Sequence, residues 1–126
     1  MRAAREIARA AVAFYLPSMP SELLARHGIE ARTVEPILSA FGRGDVASAL
    51  ELTTEALAER LSVAGTPEEV AERIATVAAH GFGHVSLTFA DPTLVRGWSG
   101  HQPTGVPSLA EQLRLVAEQV RPALPT

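Results

Sequence analysis

No cysteine occurs in the sequence, so disulfides, thiolate metal sites and a cysteine nucleophile are excluded. The redox compartment is therefore not encoded. Lysine is absent as well: all 11 basic residues are arginine, which excludes the phosphate-binding loop that requires a lysine. No apolar run approaches the ~20 residues that span a bilayer, so no membrane span is expected. A surplus of positive charge is also missing. The formal net charge is −3 and the pI is about 5.8, which argues against nucleic acid or an anionic membrane as partner.

What is present is the composition of a globular chain, 47% apolar and 20% charged. Its 126 residues fit one domain. They are also only about half of the ~250 residues that a complete β/α barrel needs. At the N-terminus Arg2, Arg5 and Arg9 precede the apolar stretch Ala10 to Leu16, in the manner of a short secretion signal. Glu6 interrupts that basic region, and Ile7, Ala11 and Phe14 fall on one helical face. An amphipathic helix is the plainer reading, and a cytoplasmic location follows from it as the expectation.

The pattern predicts helices over most of 1–60. The first runs from Arg2 to Leu16 and stops at Pro17. A short one follows Pro20 and Ser21 and closes at Gly28, and a third spans Thr33 to Phe41. Asp45 can cap a fourth, which Thr53-Thr54 can interrupt or re-cap. Leu61 to Gly65 reads as a short buried strand. Thr66-Pro67-Glu68-Glu69 is a capping box with proline at the first helical position, opening a helix that ends at Gly81. His84 to Phe89 alternates strictly and predicts a second strand. Val85, Leu87 and Phe89 should pack on the neighbouring helices, with Ser86 and Thr88 on the opposite side. Residues 61–89 thus read as a βαβ crossover with parallel strands. Residues 90–107 show no periodicity and read as a loop. Ser108 to Glu111 is a second capping box, opening a terminal helix over 108–124 with Leu109, Leu113, Val116 and Val120 on one face. The expected class is α/β: mostly helical, with two parallel strands.

Few residues carry chemistry by spacing alone. Gly81-Phe82-Gly83 follows a helix and opens a strand, the reverse of a dinucleotide-binding turn. His80 and His84 are separated by glycines and do not share a helical face. His27 and His101 lie elsewhere, so no metal site is expected. Twelve of the 14 carboxylates are glutamates in helical stretches, where a solvated face is the ordinary role. Asp91 differs, because it follows a strand pattern and precedes Pro92. It can start a turn with its side chain, or stand as a polar group at the mouth of a site. Trp98 can anchor the 90–107 loop or touch a ligand. No serine has a nucleophile-elbow context, so no catalytic residue is assigned.

The run Leu61-Ser62-Val63-Ala64-Gly65-Thr66-Pro67-Glu68-Glu69-Val70-Ala71-Glu72-Arg73-Ile74 resembles the late-chain signature of the luciferase-like monooxygenase family. It is most similar to the deazaflavin-dependent, methylenetetrahydromethanopterin reductase-like branch. His80-Gly81-Phe82-Gly83-His84-Val85 resembles that family's turn into its last barrel strand. Leu113 to Leu124 looks like its terminal helix, and Ala4 to Arg9 like its sixth barrel helix.

The resemblance implies the C-terminal part of a (β/α)8 barrel, with 61–64 as the seventh strand and 84–89 as the eighth. It implies an oxidoreductase that moves hydride or oxygen through coenzyme F-420 or FMN, acting on a small molecule such as a one-carbon pterin. Ligand-facing residues of barrels lie at the C-terminal ends of the strands. Here those positions are Gly65, Ser86, Thr88 and Asp91, with 90–107 as a possible lid. With two of eight strands, the chain alone is expected to be inactive and to seek a second copy or a complementing N-terminal fragment. The competing expectation is a non-catalytic helical binding or assembly domain descended from the barrel.

Overall fold

The computed structural model describes residues 2–100 and 104–124. Helix α1 (Arg2–Tyr15) leads through a 3-10 turn (Leu16–Ser18) into α2 (Ser21–Arg26), α3 (Ala31–Gly42), α4 (Val46–Leu52) and α5 (Glu55–Leu61). Then come α6 (Pro67–Ala78), α7 (Pro92–Ser99) and α8 (Leu109–Leu115). The last continues as a wider turn (Val116–Val120) and a 3-10 turn (Arg121–Ala123).

The helix boundaries follow from side chains that satisfy free main-chain groups. Asp45 accepts from Ser48 N to start α4, and Thr54 accepts from Leu57 N to start α5. Between them Thr53 is fully buried, and its hydroxyl donates to Ala49 O at 2.8 Å, so the break carries no unpaired group. Both capping boxes form, Thr66 with Glu69 and Ser108 with Glu111. Gly28 closes α2 at φ +68, and Arg60 Nη1 donates to the carbonyls of His27 and Gly28, both at 3.1 Å, tying α5 to that corner.

Apolar side chains gather in three places. The largest cluster joins Val12 and Leu16 to Leu24, Ile29, Val34, Ile37, Ala40, Ala49, Leu57 and Ala58. A second sets Ile7 and Ala10 of α1 against Val95 of α7, with Trp98 packed on it. A third joins Ala71 and Ile74 of α6 to Val120. Helix α1 is the common wall, packing on α4, α5 and α7.

The two expected strands do not form. Among the described residues there is no strand: 62–64 and 84–90 are both irregular. A short parallel strand needs sheet neighbours on both faces and edges, and two such segments alone cannot supply them. The expected burial fails with the pairing. Leu87 is 39% exposed, Val85 and Phe89 are half-buried, and none of the three joins the α6 cluster. Leu113, on the apolar face expected of the terminal helix, is exposed as well. The mostly helical character stands; the βαβ unit does not.

The loop expected over 90–107 is also corrected. It contains α7, capped by Asp91, whose Oδ1 accepts from Thr93 N at 2.8 Å, with Pro92 at the first position and Gly100 closing it at φ +69. The two glycines and lone tryptophan masked a period that only eight residues express. His101, considered as a metal ligand, lies outside the described residues.

Candidate functional site

An open groove of about 940 Å³ runs beside α1. It is lined by Ile7, Ala8, Ala11, Phe14 and Tyr15 of α1, by the 61–65 connection, by Val70 and Ile74 of α6, and by 86–91, Trp98 and Gln112. The four residues singled out from the sequence, Gly65, Ser86, Thr88 and Asp91, all line this groove. The structure thus brings them together, although the strands that were to carry them are absent.

Each has a distinct situation. Ser86 and Thr88 are exposed, and no hydrogen bond among the described residues occupies their hydroxyls. Asp91 is half-buried, and one of its oxygens is engaged in capping α7. Gly65 has a structural duty. At φ +157 a Cβ there would run into the Glu69 carboxylate and stand 3.0 Å from Glu69 Cβ. That carboxylate folds back over Gly65 so that its Oε2 can accept from Thr66 N at 2.8 Å. With the Glu69 carboxylate seated there, this turn leaves no room for a side chain at 65.

One groove residue, and one in a neighbouring cleft, were missed from the sequence. Gln112 donates from Nε2 to Pro107 O at 3.0 Å and Ala90 O at 3.4 Å, closing the ends of the α7 excursion onto α8. A glutamine one position beyond a capping-box glutamate gives no periodic signal. Arg5 bridges from α1 to Glu55 Oε1 at 3.2 Å and Glu69 Oε1 at 3.8 Å, in a second cleft of about 270 Å³ behind the motif. It lay within the stretch that resembles a barrel helix, and only the fold reveals its reach.

Trp98 anchors its segment: its ring lies 5.4 Å from Phe14 and 6.1 Å from Phe41, against the Ile7–Val95 cluster. Asp91 is the sole charged side chain among the described residues that line the groove. Among those residues there is also no group of three histidines or carboxylates that could hold a metal ion. No helix among them is long and apolar enough to cross a membrane.

The site is thus an apolar groove beside α1 with the capped Gly-Thr-Pro turn at its edge. The luciferase-like monooxygenase family matches over residues 1–84, and the chain belongs to that family. It is 38% identical over 69 residues to the 5,10-methylenetetrahydromethanopterin reductase of Methanopyrus kandleri, covering 55% of this chain and 20% of that protein. It is 34% identical over 86 residues to the protein of that name from Archaeoglobus fulgidus, covering 65% of this chain and 26% of that protein. The chain therefore spans about a fifth to a quarter of these relatives. No solved structure matches it.

Proposed function

We propose that this chain serves an F-420-dependent oxidoreductase of the luciferase-like family, reducing or oxidising a one-carbon pterin or related small molecule by hydride transfer, and that it supplies only the C-terminal wall of the site. The observation that carries the reading is the convergence of Gly65, Ser86, Thr88 and Asp91 on one groove in a chain related to two reductases of one name.

The fit to the coenzyme is partial. The apolar walls and two available hydroxyls suit the flat face and polar edge of a deazaflavin or flavin ring. The phosphate-bearing tail that both coenzymes carry needs cationic or free N–H partners. The described groove residues offer no cationic side chain, since Asp91 is their only charge, and the N-termini of α6, α7 and α8 are already capped. The tail is therefore held by other parts of the enzyme, and no step of the hydride transfer is assigned to this chain's residues. Hydride transfer needs ring and substrate fixed at near-attack distance in a rigid cavity, which an open groove does not provide.

The test is to titrate the purified chain with F-420 and with FMN, following fluorescence and turnover. The same titration is then repeated with a polypeptide carrying the other βα units. Turnover only in the second case, with F-420 preferred, is the expected result. Tight binding and turnover by the chain alone would sink the reading.

A further inference from the structure

The groove's single charge is not balanced by the groove's own lining. Asp91 Oδ1 caps α7 through Thr93 N, whereas Oδ2 has no partner among the described residues. The carboxylate is half-buried in a mostly apolar lining. The amide of Gln112, a donor in the same lining, is already engaged by Ala90 O and Pro107 O. An ionised carboxylate can only accept, and when partly desolvated it calls for a donor. We propose that Asp91 is the specificity-determining residue for the small-molecule substrate: it accepts two parallel N–H bonds from the aminopyrimidinone edge of a pterin whose flat ring rests on the aromatic side chains of α1. The identity of the ligand rests on the proposed function above; the need for a donor edge rests on the carboxylate.

The two rings of the proposed reaction differ at this edge. A pterin presents its exocyclic amino group and the neighbouring ring N–H side by side, two donors that match the two oxygens of a carboxylate. A deazaflavin or flavin presents its ring N–H between two carbonyls. A carboxylate that accepts from that N–H sets its other oxygen against a carbonyl lone pair, a repulsion that grows as water is excluded. Asp91 therefore sorts the rings, placing the substrate edge at the start of α7. The hydroxyls of Ser86 and Thr88 both donate and accept, and so suit the mixed edge of the coenzyme. At about 940 Å³ the groove has the volume of a large ligand site, with room for more than one ring.

The lining also supports a flat ring. Phe14 and Tyr15 are 52% and 48% exposed, and both line the groove. Their rings meet edge to face at 5.4 Å, and Phe14 is held from behind by Trp98. Aromatic rings and a carboxylate in one groove would also admit a simple organic cation. A cation satisfies the charge, but it leaves the Ser86 and Thr88 hydroxyls and most of the apolar lining without a partner.

The experiment titrates the purified chain with dimethylpterin and with dimethyllumazine, the same bicycle with a carbonyl in place of the amino group. The indole N–H resonance of Trp98, the only tryptophan and a groove residue, reads occupancy. The pterin should bind about tenfold or more tightly than the lumazine, the difference that one charge-assisted hydrogen bond makes. Asp91→Asn keeps the cap but offers one acceptor and one donor, so the preference should vanish or reverse while Tm holds. Equal affinity for the two rings, a preference that survives in Asp91→Asn, or no binding of either up to about 1 mM would overturn the proposal. Displacement of the pterin by an equal concentration of choline would overturn it in favour of a cation site. An Asp91→Asn variant that loses F-420 affinity but keeps the parent's affinity for the pterin would give Asp91 to the coenzyme, and would overturn it as well. A pterin preference that Asp91→Asn abolishes, without F-420 turnover in the reassembled enzyme, leaves this assignment standing and removes the proposed function; turnover without the preference does the reverse.

Discussion

The Glu69 carboxylate occupies the space above Gly65 that any other side chain would need. One of its oxygens accepts from Thr66 N at 2.8 Å, and the other lies 3.8 Å from Arg5 Nη2 on α1. A single glutamate thus closes the start of α6 and ties it to the first helix. The tie to Arg5 is partly solvent-exposed and contributes at most about 1 kcal/mol. The cap and the glycine matter more, because they decide whether the chain can leave the 62–65 connection and enter α6 at once.

Gly65→Ala should therefore destabilise the chain by about 1–3 kcal/mol, since the new Cβ must displace the carboxylate or distort the main chain. Thr66→Ala should cost about 1 kcal/mol through loss of the cap acceptor. For a chain of this length 1 kcal/mol corresponds to about 4 °C in Tm. Urea or thermal melts followed at 222 nm measure both. A Gly65→Ala protein as stable as the parent would mean the turn is not held as described.

Trp98 is the only tryptophan, and its ring joins α7 to Phe14 and Phe41. Trp98→Phe should keep most of the packing, whereas Trp98→Ala should cost about 3 kcal/mol or more by emptying the Ile7–Val95 cluster. In the parent, tryptophan emission should shift to longer wavelength together with loss of helix during a urea titration. An emission shift well before the helical signal falls would show that α7 opens independently.

The helices of the first half and both capping boxes were legible because their signals are local. A cap, a proline or a helix-ending glycine acts within one turn, and Thr66, Asp45 and Ser108 each do in the fold what their neighbours in sequence require. The strands were not, because alternation at His84–Phe89 records which side chains suit a sheet, while the sheet itself depends on neighbours that this chain does not contribute. Helix α7 was hidden for a different reason. Gly97 inside it and Gly100 after it read as loop residues, and the cap at Asp91 is visible only once Pro92 is seen as a first helical position rather than a turn. The grouping of Gly65, Ser86, Thr88 and Asp91 on one groove came from the family pattern and not from spacing. Arg5 and Gln112 act across 50 and 22 residues and left no trace in the order of the chain.

Two caps give the chain an acid limit. Glu111 is held below the usual carboxylate range by the Ser108 main-chain and side-chain hydrogen bonds, with help from Arg114. Asp45 is lowered by its bonds to Ser48 and by Arg43. A carboxyl whose folded pKa is depressed stabilises the fold above its unfolded pKa of about 4 and loses that contribution as the pH falls through the lower, folded value. Helicity should thus hold from neutrality to about pH 4 and decline below it. Glu111→Gln keeps a capping side chain without a titrating group, so the acid decline should be shallower in that variant. Circular dichroism against pH reads both. A loss of helix that begins above pH 6 would contradict the assignment to these carboxyls.

Asp91 has two duties that substitution can separate. Its Oδ1 caps α7 through Thr93 N, and its side chain is the groove's only charge among the described residues. Asparagine can cap equally well but carries no charge, whereas alanine does neither. Asp91→Ala should lower Tm by about 4 °C, the equivalent of one lost cap, and Asp91→Asn should leave it nearly unchanged. Thr88→Val should also leave Tm unchanged, because Thr88 is exposed and makes no hydrogen bond among the described residues. If the groove receives the coenzyme ring, Asp91→Asn and Thr88→Val should each weaken F-420 titration of the reassembled enzyme about three- to tenfold, as loss of one polar contact does. The combination of stable folding and weakened titration is the signature of a binding role. If Asp91→Asn and Thr88→Val both titrate like the parent, the duty of Asp91 is confined to the start of α7, and neither side chain contacts the coenzyme.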